Sequence, residues 1–129
     1  MPMKPVKRGI KVWVCTEALS GFVCDFHVYT GKQQDGTVEQ NKLTRNFTGR
    51  NHHVFYDNFF STVKLAEDLL EDNIYLYATA RVNRKEFPKD LAPNTPGVKC
   101  LRQGEALCLR KNVIATAWKD KNVVHFIST

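Results

Sequence analysis

The chain has 129 residues, of which 43% are hydrophobic and 25% charged. This is one domain's worth of ordinary globular composition, able to bury about two-thirds of its unfolded surface, and it argues against intrinsic disorder, collagen-like repeats and disulfide-dense mini-proteins. Lys and Arg number 19 against 13 Asp and Glu, a net charge of +6. Four of those acids (Glu67, Asp68, Glu71, Asp72) crowd into one short stretch, so the remaining surface is strongly basic. Such a surface attracts polyanions, nucleic acid first, or serves solubility alone. No apolar run approaches the ~20 residues of a membrane span. No signal-peptide stretch follows the basic N-terminus either, so a soluble, non-secreted chain with no membrane partner is expected.

Met1 to Arg8 carries two prolines and several cations and reads as an extended lead-in. Alternation of Ile10, Val12 and Val14 with Lys11, Trp13 and Cys15 predicts a strand from about Gly9 to Thr16. Leu19-Ser20-Gly21 is a turn signal, and Phe22 to Tyr29 completes an antiparallel hairpin with Val23, Phe26 and Val28 as its heavier apolar members. Thr30 to Asn41 reads as a loop, with at most a weak helical turn around Val38 to Phe47. His53 to Tyr56 is a short strand, apolar enough to be central. Ser61 or Thr62 can cap a helix from about Thr62 to Asp72, with Val63, Ala66, Leu69 and Leu70 on one face and Lys64, Glu67, Asp68 and Glu71 on the wet one. Ile74 to Thr79 is again strand-like. Strand, helix, strand implies a parallel pair with the helix over one face. Ala92 to Gly97 reads as a loop. Three short strands follow, Val98 to Leu101, Leu107 to Ala117 with breaks, and Val123 to Ile127, the last entered by the turn Asp120-Lys121-Asn122.

The four cysteines (Cys15, Cys24, Cys100, Cys108) form no close pair. They read as free, buried, small apolar groups in a reducing compartment. His52 and His53 are adjacent and point to opposite faces of a strand, a poor metal pair. The sharpest local feature is Tyr56-Asp57-Asn58-Phe59-Phe60, an acidic residue where a strand ends and a helix approaches. Ligands collect at the carboxyl ends of strands in open α/β sheets, and a carboxylate there can hold Mg²⁺; alternatively Asp57 simply caps the following helix. Metal-assisted phosphodiester chemistry needs two ions about 3.5–4 Å apart, hence two or three converging carboxylates. Asp25, Glu17, Asp120 and the helix acids offer no obvious second ligand. Arg81-Val82-Asn83-Arg84-Lys85 is a second basic cluster after Lys4 to Lys11: a phosphate-binding strip or a solvated loop. Trp118 can stack on a base or sit, partly buried, in the core.

Several runs together resemble the piggyBac transposases and the domesticated proteins derived from them. Met1 to Pro5, Gly9 to Trp13, Gly21-Phe22-Val23 and Val28 to Lys32 carry the first part of the resemblance. Tyr56 to Phe60, Leu65, Leu69-Leu70, Ala78 to Lys85 and Phe87-Pro88 look like the family's central signature, and Trp118 to Lys121 with Val123 and Ser128-Thr129 like a later segment. The resemblance implies an α/β fold: an incomplete RNase H-like mixed sheet in residues 1–91, leading into a β-rich C-terminal insertion segment in residues 92–129. It implies a nuclear DDE transposase chemistry, Mg²⁺-dependent DNA cleavage and strand transfer at TTAA sites, held by three aspartates. Asp57 matches the second and is the catalytic and metal-binding residue by this resemblance. The first and third are expected before Met1 and after Thr129, so that strand transfer by this chain alone is not expected. DNA contacts fall to Lys7, Arg8, Arg81, Arg84 and Lys85, and a longer transposase-like chain is a further partner. The stretch Gly36 to Thr44 looks short against the family. The alternative is a non-catalytic DNA-binding or protein-interaction module domesticated from the transposase.

Overall fold

The computed structural model describes residues 9–29 and 44–129. The lead-in Met1 to Arg8, and with it Lys7 and Arg8, lies outside the described residues, as do the loop Thr30 to Asn41 and most of the stretch Gly36 to Thr44. Close contacts divide the chain into two units, Met1–Asn46 and Phe47–Thr129.

In the first unit β1 (Lys11–Thr16) pairs antiparallel with β2 (Val23–Tyr29), as the alternation predicts. Val12 faces Val28 and Val14 faces Phe26 across the ladder. The heavier apolar residues are nonetheless exposed, Phe26 at 63%. The turn is fastened by Glu17, whose carboxylate accepts from the backbone N–H of Leu19 (3.2 Å) and Ser20 (2.7 Å) and from the Ser20 hydroxyl. Gly21 closes it with φ +71°, a left-handed conformation that glycine adopts without a Cβ penalty. Burial, with the neighbouring Cys24 and Asp25, pushes the Cys15 thiol up. The four cysteines are free, but contrary to expectation they are not core residues: Cys15 is half-buried and Cys24, Cys100 and Cys108 are exposed.

The second unit is a five-stranded mixed sheet. Its strands are β3 (His53–Tyr56), β4 (Tyr75–Thr79), β5 (Ala106–Arg110), β6 (Ile114–Lys119) and β7 (Val123–Ser128), in the spatial order β3-β4-β7-β6-β5. β3 and β4 are parallel and joined by α1 (Val63–Glu71); every other neighbouring pair is antiparallel. Thr62 caps α1, its hydroxyl accepting from Leu65 N–H at 3.1 Å. The helix ends in a Schellman arrangement: Asn73, left-handed at φ 55°, donates to Leu70 O, and Ile74 N–H reaches back to Leu69 O. Ile74 is thereby turned straight into the core, with no exposed surface.

The inner face of the sheet alternates in steps of two: Leu76 and Ala78, Ala115 and Ala117, His125 and Ile127 are all buried. The alanines leave room for the layer above. α1 sets Leu65, Ala66 and Leu69 on that face, and the segment after β4 adds Phe87, Leu91 and Val98. His125, buried, anchors this segment through a ring nitrogen 2.8 Å from Leu91 O and an edge-on contact with the Phe87 ring.

Three expectations need correction. β3 is an edge strand of the five-stranded sheet, not a central one. Its apolar character serves cross-strand aromatic pairing on the open face, where His53 stacks on Tyr75 (5.1 Å) and Phe55 on Tyr77 (5.4 Å). Val98 to Leu101 is not a strand; a short helix, α2 (Pro96–Lys99), begins within the stretch read as a loop, because a proline at the first helical turn sacrifices no hydrogen bond there. Leu107 to Ala117 resolves into β5 and β6 as two separate strands.

Two tests follow from these elements. Thr62→Ala should lower stability by about 1 kcal/mol, the usual value of an N-cap, read as a shifted urea midpoint; an unchanged midpoint contradicts the capping role. The three hydrogen bonds to its carboxylate, that from the Ser20 hydroxyl foremost, hold the Glu17 carboxyl below its ordinary value. The turn's stabilisation is therefore present at neutral pH and lost as pH falls through that lowered pKa. Titration of the Ser20 amide resonance should show a midpoint below the ordinary glutamate value of about 4.3, and a midpoint at or above it contradicts the arrangement.

Candidate functional site at the ends of two parallel strands

Parallel strands deliver their carboxyl ends to the same side, so the residues after Tyr56 and after Thr79 meet. Asp57 follows β3 directly and is exposed. Its backbone carbonyl accepts from Phe60 N–H (3.1 Å) and Ser61 N–H (3.3 Å), closing a tight turn, and its carboxylate accepts from Asn58 N–H at 2.6 Å. It does not cap α1; Thr62 does, which removes that alternative for Asp57.

The turn is tied to the end of β4 in three places. Ser61, fully buried, donates its hydroxyl to Thr79 O. Arg81 Nε donates to Asn58 Oδ1 at 3.1 Å. Arg84, half-buried, donates through Nη2 to the backbone oxygens of Asn58 (3.3 Å) and Phe59. Two members of the predicted phosphate strip thus hydrogen-bond the Asp57 turn, Arg84 half-buried and Arg81 exposed; Lys85 is exposed as well. Glu86, left-handed at φ 71°, then turns Phe87 down into the core. The connecting roles of Asn58, Ser61 and the Thr79 carbonyl are not legible in the chain; the neighbourhood of these segments, whose bonded residues are 18 to 26 positions apart, is a product of the parallel pairing.

Other candidates sit elsewhere. Asp25 bonds its own neighbour, Phe26 N–H, at 2.8 Å within β2, and Asp120 accepts from Gln103 Nε2 at 3.4 Å in the β6–β7 turn. Among the described residues no three His, Cys, Asp or Glu side chains converge to hold a metal ion. Asp57 is a single carboxylate, and this donor set does not fit a magnesium pair. Trp118 is 38% exposed on the open face of the sheet, beside Phe126, rather than in the core. Among the described residues, no helix is long and apolar enough to cross a membrane.

Fold and site together define an α/β protein of the RNase H-like kind, a mixed sheet with an acidic residue at the tip of a parallel strand. The family whose description is Transposase IS4 matches residues 1–129, and the chain belongs to it. A chain from the cryo-EM structure of a piggyBac transposase synaptic complex with hairpin DNA has the same fold, with a TM-score of 0.81 at 24% identity. The similarity covers 99% of this chain and 28% of that one, so the present chain spans a little over a quarter of its solved relative. The resemblance to piggyBac transposases and the incomplete RNase H-like α/β fold read from the sequence both stand.

The Arg84 tie is directly testable. Arg84→Ala should cost about 1 kcal/mol or more, since it removes a charged donor from two backbone carbonyls, and should speed amide exchange at Phe60 and Ser61. Arg84→Lys should recover only part of this, because an ammonium lacks the planar fork. Exchange rates at Phe60 and Ser61 that do not move in Arg84→Ala would show that the turn holds itself.

Proposed function

We propose that the chain is the part of a piggyBac-type DDE transposase that presents one catalytic aspartate, Asp57, to DNA in the nucleus. In that family three aspartates hold Mg²⁺ for cleavage and strand transfer at TTAA. The observation carrying this reading is the exposed Asp57 carboxylate at the carboxyl end of β3, relieved of helix capping and bordered by the Arg81–Lys85 segment. Arg81, Arg84 and Lys85, with Lys7 and Arg8 ahead of the first strand, are the phosphate-facing residues of this reading. The division into a core part, residues 1–91, and an insertion part, residues 92–129, belongs to it as well; its boundary falls between β4 and β5 in chain order, within the five-stranded sheet.

A single carboxylate cannot position two ions, so we infer that this chain alone performs no strand transfer and that a longer transposase-like chain would have to supply the remaining ligands. Incubation of the purified chain with a TTAA-containing duplex and Mg²⁺ should leave the duplex intact. Nicking by the chain that Asp57→Ala abolishes would overturn the inference. The excess of cations favours a second, compatible reading, a DNA-binding module without catalysis. It predicts duplex binding that weakens steeply as salt rises, and absence of binding at low salt would remove it.

A further inference from the structure

The strand directions of the five-stranded sheet bring cations from distant parts of the chain to one end. β3 and β4 run toward the end occupied by Asp57 and Arg81. Because β7 is antiparallel to β4, β6 to β7 and β5 to β6, the β6–β7 turn and the entry to β5 lie at that same end. Lys119 pairs with Val123 on the last rung, accepts from Gly104 N–H (2.7 Å) and donates to Glu105 O (2.9 Å). Arg102, Lys119 and Lys121 are thus gathered with Arg81, Arg84 and Lys85, although up to 40 positions separate them in the chain.

Arg102 and Lys121 are exposed and Lys119 is half-buried. Among the described residues none of the three enters an ion pair. Two acids lie among them: Glu105 accepts from the Arg102 backbone N–H at 2.7 Å and Asp120 from Gln103 Nε2 at 3.4 Å. Glu67, Asp68 and Glu71 lie along α1, where Lys64 pairs with Asp68 at 2.8 Å. From β3 to β5 the sheet end measures about 19 Å, four strand spacings. Phosphates on one strand of duplex DNA advance roughly 3.4 Å along the axis, so a strip of this length meets about five.

We propose that Arg102, Lys119 and Lys121 form a second phosphate-contact station for duplex DNA, continuing across the sheet end the track that Arg81, Arg84 and Lys85 begin beside Asp57. The station rests on the DNA-binding reading above. Lys119 ends β6, while Arg102 and Lys121 lie in the connections beside it, and in this proposal all three contact the DNA backbone rather than bases. It therefore contributes affinity without sequence preference.

The test uses the 129-residue chain and a mixed-sequence duplex, with affinity followed by fluorescence anisotropy over a range of salt. Arg102→Gln and Lys121→Gln lie in exposed connections, so the sheet should be retained. Each should reduce the slope of log affinity against log salt by about one, and the double variant by about two. Lys111→Gln, in the β5–β6 connection at the opposite end, should leave the slope unchanged. Should Lys85→Gln lower the slope while Arg102→Gln and Lys121→Gln do not, the second station is overturned and the DNA-binding reading survives. Equal effects from Lys111→Gln and Lys121→Gln would mean diffuse attraction and also overturn it. No binding to the duplex at low salt would overturn both.

Discussion

Two parallel strands end side by side, and the joint between their exits is what holds Asp57 in place. The turn after β3 would otherwise be a loose connection to a helix. A buried serine and two arginines attach it to the backbone and flank of the neighbouring exit. The serine of the turn donates to the Thr79 carbonyl and the arginines donate to oxygens of the turn, so the acidic residue that starts the turn is displayed on a fastened platform. The arginines consequently have two tasks. They lend positive potential to the strand ends, and they hold the backbone that carries the negative one. A change at Arg84 cannot alter the field without also loosening the turn.

The platform in turn depends on how the inner face is filled. Alanines at positions 78, 115 and 117 let the helix and the segment after β4 lie close to the sheet, and His125 fastens that segment at Leu91. The basic stretch thus runs between two anchors, the Asn58 turn at its beginning and the buried Phe87 and Leu91 at its end. This geometry explains why a cluster that could have been a solvated loop is ordered against the sheet end.

Much of the architecture could be read along the chain because the signals are local. Alternation gave β1 and β2, a hydroxyl before an amphipathic stretch gave α1, and helix between strands gave the parallel pair. Where position in the sheet mattered, local signals were insufficient. His53 to Tyr56 is apolar both at a centre and at an edge lined by aromatic partners; only the strand order distinguishes them. Pro96 announced a helix start, but beside Pro93 and Gly97 it read as a loop breaker. Of the candidate site, Asp57 and the arginines were visible as motifs. Their contact was not, since it arises from the parallel register, and neither was the arrival of Lys119 and Lys121 at the same end, which requires two antiparallel steps from β4. The family resemblance supplied a role for Asp57 that spacing could not, because one carboxylate in a sequence is equally a cap or a ligand.

The central claim is a count of ligands: the fold displays one carboxylate at a strand tip, and the described residues do not complete a metal site around it. Calorimetric titration of the chain with Mg²⁺ measures this most directly. The account predicts no saturable binding tighter than about the millimolar range of weak carboxylate sites. Micromolar binding of two ions per chain, lost in Asp57→Ala, would contradict it.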